Sequence, residues 1–283
     1  MKKCALMTCE DLDNFVHDEH ILEEALRKQG WEFDWVQWKD SSVDWNQYQC
    51  AIIRTTWDYT DDVDLFLKNL NRIKESSCRL FNDLSHIEWN WKKTYLKEMA
   101  NWGLPTIPTL WKDSFRLDDL EEAFNEFSTD KLVLKPQVGA GSKDTFQVTK
   151  NIEQDLKSVI RHPMMIQPFQ NRIIENGEYS AHFFNGKHSH TILKKPKSGD
   201  YRSQEEFGSF IKEVSVTEKI ETLCKSVFKK LEILPLFARV DLLESEQGEL
   251  QIIELELIEP ALYFRMSEGS ADRFVSALNQ RLD

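Results

Sequence analysis

No apolar run in this 283-residue chain approaches the roughly 20 residues of a membrane-spanning helix, so no membrane partner is expected. The opening stretch, Met1 to Thr8, is too short in its apolar part for a signal peptide and reads as a first strand. Cysteine is scarce. The five are scattered, odd in number and without a Cys-x-x-Cys, which argues against a disulfide framework or structural zinc site and fits a reducing, cytoplasmic setting. The seven histidines form no metal motif; His17 with His20 and His188 with His190, the closest pairs, read as structural or solvated. Basic residues are outnumbered, 36 against 48, and no basic stripe offsets the net charge of −12, so nucleic acid is excluded as the main partner. A phosphate ligand is not excluded, because a few local lysines can serve it. The chain also lacks the third glycine of a dinucleotide fingerprint and the Gly-Lys-Ser/Thr of a P-loop.

What is present describes a soluble globular protein of more than one domain, with 41% hydrophobic and 30% charged residues. Cys4 to Thr8, Phe33 to Trp38 and Cys50 to Arg54 read as strands. They alternate with helical spacing at His20 to Gln29 and Asp62 to Lys74, which predicts a small α/β unit with a parallel sheet. In such units ligand groups lie past the carboxyl ends of strands, where Arg54 and the loop Thr55 to Tyr59 fall; a structural ion pair would serve Arg54 equally well. All nine tryptophans fall between Trp31 and Trp111, which reads as packing between domains. Trp91 to Met99 is expected to be helical and to carry Lys92 and Lys93, with a domain boundary near residues 90–105.

Further on, helices are expected at Leu117 to Phe127, Ile152 to Ile160, Val216 to Leu231 and Ala271 to Leu282. Strands are expected at Lys131 to Pro136, Phe146 to Val148, Met164 to Phe169, Glu178 to Phe184 and His190 to Leu193, and a loop at Gly199 to Phe210. Lys135 is followed by Gly139-Ala140-Gly141-Ser142. A strand ending in lysine before a flexible glycine loop suits phosphate, since backbone N–H groups can form an anion nest; an ordinary hairpin turn fits the same residues.

The chain is organised around Gln251 to Pro260. On a strand Glu254 and Glu256 share one face and Leu255 and Leu257 the other. Leu236 to Leu243 reads as the partner strand, across the polar link Glu244 to Glu249. If Leu243 pairs with Leu250, Asp241 joins the two glutamates. Three carboxylates on one patch suit a hard cation such as Mg²⁺; a wet, charged sheet face has the same pattern.

Taken in order, Lys93, Lys135 with its glycine loop, Gln167-Pro168-Phe169, Gly177 to Ser180, Arg202, Asp241 and Glu254-Leu255-Glu256 resemble the ATP-grasp ligases over most of the chain. Arg54 to Tyr59, Trp89 to Leu96, His190 to Pro196 and Glu254 to Pro260 are similar to the glutathione-synthetase-like and cycloserine-synthetase-like branch. The resemblance implies an ATP-grasp fold of α/β and α+β class with an N-terminal Rossmann-like domain. The divisions are placed at 1–92, 93–166 and 167–283.

By the same resemblance Lys93 and Lys135 contact nucleotide phosphates, and Gly139, Gly141 and Ser142 belong to a mobile lid. The backbone of Gln167 to Phe169 reads adenine, and Glu178, or more weakly Glu175, takes the ribose hydroxyls. Asp241, Glu254 and Glu256 hold two Mg²⁺, although many family members carry Asn where Glu256 stands. Arg202 lies beside the transferred phosphate, and Arg54 is the candidate for holding the substrate carboxylate; Lys194 and Lys195 are helpers or a solvated pair. The implied activity joins a small carboxylate, an amino-acid derivative, to an amine or similar nucleophile, with ATP and Mg²⁺ as cofactors and ADP and phosphate as products. A homo-oligomer is left open. A nucleotide-binding regulator without turnover would keep the fold, but would not need the full metal set.

Overall fold

The structure, a computed structural model, describes residues 2–13, 15–150 and 163–282; the helix expected at 152–160 lies outside the described residues. Three sheets follow one another along the chain. The first contains β1 (Lys2–Thr8), β2 (Trp31–Gln37), β3 (Cys50–Thr55) and β4 (Arg79–Phe81) in the order β2-β1-β3-β4, all parallel. Helix α1 (Glu19–Lys28) packs on one face and α2 (Val63–Lys74) on the other. A parallel sheet covered on both sides needs strands apolar throughout, which is why all six residues of β3 are buried. Gly30, at φ +78°, takes the left-handed conformation that ends α1, and the Asp62 carboxylate accepts from the Leu65 N–H to start α2.

The helix expected from Trp91 to Met99 starts only at Tyr95, after a separate helix that was not expected. Helix α3 (Leu84–Asn90) ends, residues 91–94 turn, and α4 (Tyr95–Asn101) begins, so Lys93 sits in a link and not on a helix. The second sheet holds β5 (Leu110–Lys112), β6 (Lys131–Pro136), β7 (Phe146–Thr149) and β8 (Met164–Pro168) in the antiparallel order β5-β8-β6-β7. Ala123 and Phe124 of α5 (Asp118–Glu126) close its core against Leu132, Leu134 and Ile166.

After the short α6 (Arg172–Glu175) come β9 (Glu178–Phe184), β10 (Lys187–Lys195), β11 (Phe210–Val214), α7 (Glu218–Phe228), β12 (Phe237–Glu244), β13 (Leu250–Glu256) and α8 (Ser270–Leu282). The five strands form one antiparallel sheet, β11-β10-β9-β12-β13. Its inner face packs on α4 and α7, while α8 packs against α1 and joins this sheet to the first. The tryptophan bias belongs in part to the first sheet's own core: Trp31, Trp38 and Trp45 are buried there, while Trp57 and Trp91 line the central cleft.

The free edge of β13 is covered by side chains from the α3–α4 region. Asn90 Nδ2 donates to the Leu255 carbonyl at 2.8 Å, the Leu257 N–H donates to Asn90 Oδ1 at 3.0 Å, and the Leu255 N–H donates to the Tyr95 hydroxyl at 3.0 Å. The Ile252 N–H reaches the Pro105 carbonyl at 2.7 Å. An edge strand held at several of its backbone groups has little freedom to shift. These contacts also explain the break at residues 91–94. The chain must present both Asn90 and Tyr95 to one strand, and a continuous helix would turn them to different sides.

Candidate active site

The strand pair β12–β13 brings its carboxylates together by a route other than the expected one. Near the turn Leu243 pairs with Gln251, not Leu250. A one-residue slip in a period-two strand would turn Asp241 away from the glutamates. The register then shifts again between Asp241 and Leu242, leaving Ile253 as an extra residue, so that Asp241 pairs with Glu254. This β-bulge restores the common face. Carboxylate oxygens of Asp241, Glu254 and Glu256 lie within 4.8 Å of one another.

They open into a cleft of about 540 Å³ walled by the second and third sheets and by the loop after β3. Of the expected site residues, Lys93, Lys135, Gly139, Gly141, Ser142, Gln167, Phe169, Glu178 and Arg202 also line it. The link holding Lys93 is fixed by its N–H, which donates to the Gln137 carbonyl at 2.7 Å. The Lys93 ammonium pairs with Glu254. Burial would lower the Lys93 pKa, but Glu254 and Glu256 more than offset this and raise it. Lys135 lies on the same wall with no ion-pair partner among the described residues, and burial lowers its pKa. A desolvated cation without a counter-ion is poised for an anionic ligand.

Beside it, Gly141 and Ser142 both take φ +60° in the glycine loop, and Lys143 crosses to Asp61 at 2.9 Å. Apolar side chains complete the wall, among them Ile107, Val133 and Leu243. The Gln167 amide donates to the Thr109 hydroxyl at 2.9 Å, and its backbone pairs with Val133 of β6. Arg202 is held by Asp200 through two bonds of 3.0 and 2.7 Å, and lies over the Phe207 ring at 3.6 Å.

Two expectations are corrected. Arg54 does not reach the cleft. It is fully buried, and Glu19 takes both its Nε, at 3.0 Å, and its Nη2, at 2.7 Å. With Nη2 also directed at the Pro260 carbonyl, the guanidinium belongs to an internal ion pair; its Nη1 has no partner, but it is buried and does not line the cleft. Glu175 is also absent from the cleft; it closes α6 with an exposed side chain beside Arg172. Glu178, three residues on, is the one that lines the wall, where Lys194 and the Ser203 hydroxyl, at 2.6 Å, hold it.

Sequence reasoning passed over Arg239, whose guanidinium grips Asp241 and pairs with Glu256. The signal was available: Arg239 precedes Asp241 by two positions on one strand, so both point to the same face. Ser180 also donates to Asp241, and Lys194 stands 3.8 Å from it. Although burial alone would raise Asp241, Arg239 and Lys194 hold its pKa down at about 2. Burial, with Glu254 and Asp241 nearby, pushes Glu256 up to about 7 in spite of Arg239. An oxygen donor set so crowded with acid is one that a hard divalent cation satisfies, and Mg²⁺ fits these residues.

A family model described as the prokaryotic glutathione synthetase ATP-grasp domain matches residues 112–258. The chain belongs to this ATP-grasp family. Residues 4–82 match a second model, the N-terminal domain of D-cycloserine synthetase DcsG. The cycloserine biosynthesis protein DcsG of Streptomyces lavendulae is 27% identical over 288 residues, 94% of each chain. The crystal structure of D-cycloserine synthetase DcsG superposes with a TM-score of 0.86 at 26% identity, covering 99% of this chain and 100% of that one. The ATP-grasp ligase PsnB, solved with a precursor variant, Mg and ADP, shares the fold at a TM-score of 0.69 and 13% identity, covering 99% and 98%. This ATP-grasp chain is an ATP-dependent ligase.

Proposed function

We propose that this ligase activates a small carboxylate, an amino-acid derivative, as an acyl phosphate, which an amine or similar nucleophile then opens to release phosphate. One observation carries the reading. The partnerless Lys135, the glycine loop and the three convergent carboxylates all face one cleft, so the charge is arranged for a phosphate tail. Lys93 and Lys135 would bind the phosphates and Gly139 to Ser142 cover them. The backbone from Gln167 to Phe169 would meet adenine, and Glu178 the ribose hydroxyls. Asp241, Glu254 and Glu256 would hold Mg²⁺, two ions in our reading, whose charge makes the γ-phosphoryl electrophilic and stabilises it in transfer. Arg202 would steady negative charge on the transferred group, a task in which a preorganised cation is most effective.

For the division of labour we favour an N-terminal unit to residue 92 and a lid unit from 93. The catalytic unit would begin after Phe169 and not at 167, because β8 pairs with β6 through Pro168. No helix among the described residues is long and apolar enough to cross a membrane, and all five cysteines are free and buried, which agrees with a cytoplasmic setting. A panel of amino acids and their derivatives, O-substituted serines first because the Streptomyces relative is a cycloserine biosynthesis protein, is to be screened for substrate-dependent ADP release. ADP and phosphate are the expected products; stoichiometric AMP would overturn the mechanism.

A further inference from the structure

Nearly every acidic side chain on the cleft wall has a partner. Asp241 and Glu256 have Arg239, Glu254 has Lys93, and Glu178 has Lys194. Toward the first sheet, Asp58 has Lys39 and Asp61 has Lys143; across from them Glu205 has Arg265 and Glu206 receives the Val16 N–H. Glu259 differs. Its side chain lines the cleft, enters no ion pair among the described residues, and has no hydrogen-bond partner beyond its own backbone N–H. It also stands outside the group of three carboxylates that converge within 4.8 Å.

Its backbone is pinned where the side chain is not. Trp57 Nε1 donates to the Glu259 carbonyl at 3.0 Å, and the carbonyls of Pro260 and Ala261 that follow are taken by Arg54 and Arg239. Glu259 is therefore held between the carboxylate cluster of β13 and the loop after β3. That loop brings aromatic faces: Trp57 lies 4.8 Å from Phe15, and both rings line the cleft beside Tyr59. A lone carboxylate in a half-enclosed cavity is costly without a cation, and aromatic faces favour a cation over a neutral group.

We infer that Glu259 receives an ammonium group of the substrate and makes the enzyme select amine-bearing acceptors over hydroxyl analogues of the same shape. The inference rests on the ligase reading, in that the acceptor occupies this cleft. It explains why an acid without an ion-pair partner sits in the same cleft three residues beyond the metal-type cluster and outside that cluster's donor set.

The test is made by binding, so that it stands apart from turnover. Wild type, Glu259→Gln and Glu259→Asp are loaded with Mg²⁺ and a non-hydrolysable ATP analogue. Each is titrated calorimetrically with serine and O-substituted serines, and with glycerate and its O-substituted counterparts. The amino forms should bind wild type at least roughly tenfold more tightly than the hydroxy forms. Glu259→Gln should abolish that preference by weakening only the amino forms, Glu259→Asp should retain part of it, and the Kd of the nucleotide analogue should change less than about threefold in both. Equal weakening of both ligand sets, or an undiminished preference in Glu259→Gln, would overturn the inference. ADP release measured separately judges the ligase reading.

Discussion

Two buried charge clusters lie at neighbouring strand ends, and they differ in what they leave over. At the end of β3, Arg54 and Glu19 form a pair with two hydrogen bonds, and the arginine is wholly enclosed. On β12 and β13, Asp241, Glu254 and Glu256 crowd together with Arg239 and Lys93 at the edge of a cleft, and Glu256 is pushed up to about 7 by burial beside its neighbours. The first set is closed: even the unpartnered Nη1 of Arg54 is sealed away from the cleft. The second carries more acid than its cations answer, and it faces space. Charge at a strand end is therefore not itself a sign of function; an unanswered remainder that opens into a cavity is a better one.

The comparison breaks most readily at Arg54. Arg54→Met leaves Glu19 buried without its partner, a loss that costs about 3–5 kcal/mol. Denaturant unfolding should show that loss, while the folded fraction keeps its affinity for Mg·ATP. A variant of normal stability with a raised substrate KM would return Arg54 to the site. Glu254→Gln should do the reverse. It removes one ligand-type charge where phosphoryl transfer needs it, so kcat should fall by roughly 10²–10³ with small change in stability. Steady-state ADP release checks this, and full activity would remove the metal role of β13.

Asn90→Ala lies between the two kinds. It strips two hydrogen bonds from the buried edge of β13, and leaving those backbone groups unanswered costs about 1–3 kcal/mol. Because the strand carries Glu254 and Glu256, turnover should drop along with the melting temperature. Loss of stability with unchanged kcat would mean that the edge contacts do not position the glutamates.

The same contrast explains what could be read from the sequence. Helices α1 and α2 and strands β1 and β3 announce themselves by period and by run, because each buries a broad apolar surface. Strands β4 and β5, three residues each, have no room for alternation and were legible only through their pairing. The carboxylate face of β12 and β13 was read through a register that is wrong at the turn and compensated by the bulge at Ile253, an irregularity no pattern foretells. Arg54 looked like a ligand residue because its position after a strand is visible in sequence, whereas its partner Glu19, 35 residues earlier, is visible only in the fold. Glu259 falls beyond the strand, where alternation no longer assigns a face.

The smallest effect expected is a pH dependence that belongs to the cleft alone. Burial, reinforced by Glu256, pushes Glu259 up to about 8, well above an ordinary glutamate. Between the ordinary value and about 8 the folded protein therefore keeps a proton that the unfolded chain has lost, so stability falls as pH rises through this range. The buried histidines His182 and His190, held low by burial, act with the opposite sign, but only below about pH 6.5, where the unfolded chain still gains protons. Between about pH 7 and 8.5 the slope belongs to the two raised cleft carboxylates, Glu256 at about 7 contributing to its lower part and Glu259 to its upper part, since unfolded cysteines begin to ionise above this. Partial access of water from the cleft limits it to about 1 kcal/mol, or roughly 2–4 °C in melting temperature. Glu259→Gln should flatten the upper part of that slope in the ligand-free protein, and an ammonium-bearing ligand should flatten the same part in wild type by stabilising the ionised carboxylate. An identical slope in Glu259→Gln would mean that another group carries the titration, and that the carboxylate at position 259 is answered by a cation in solution.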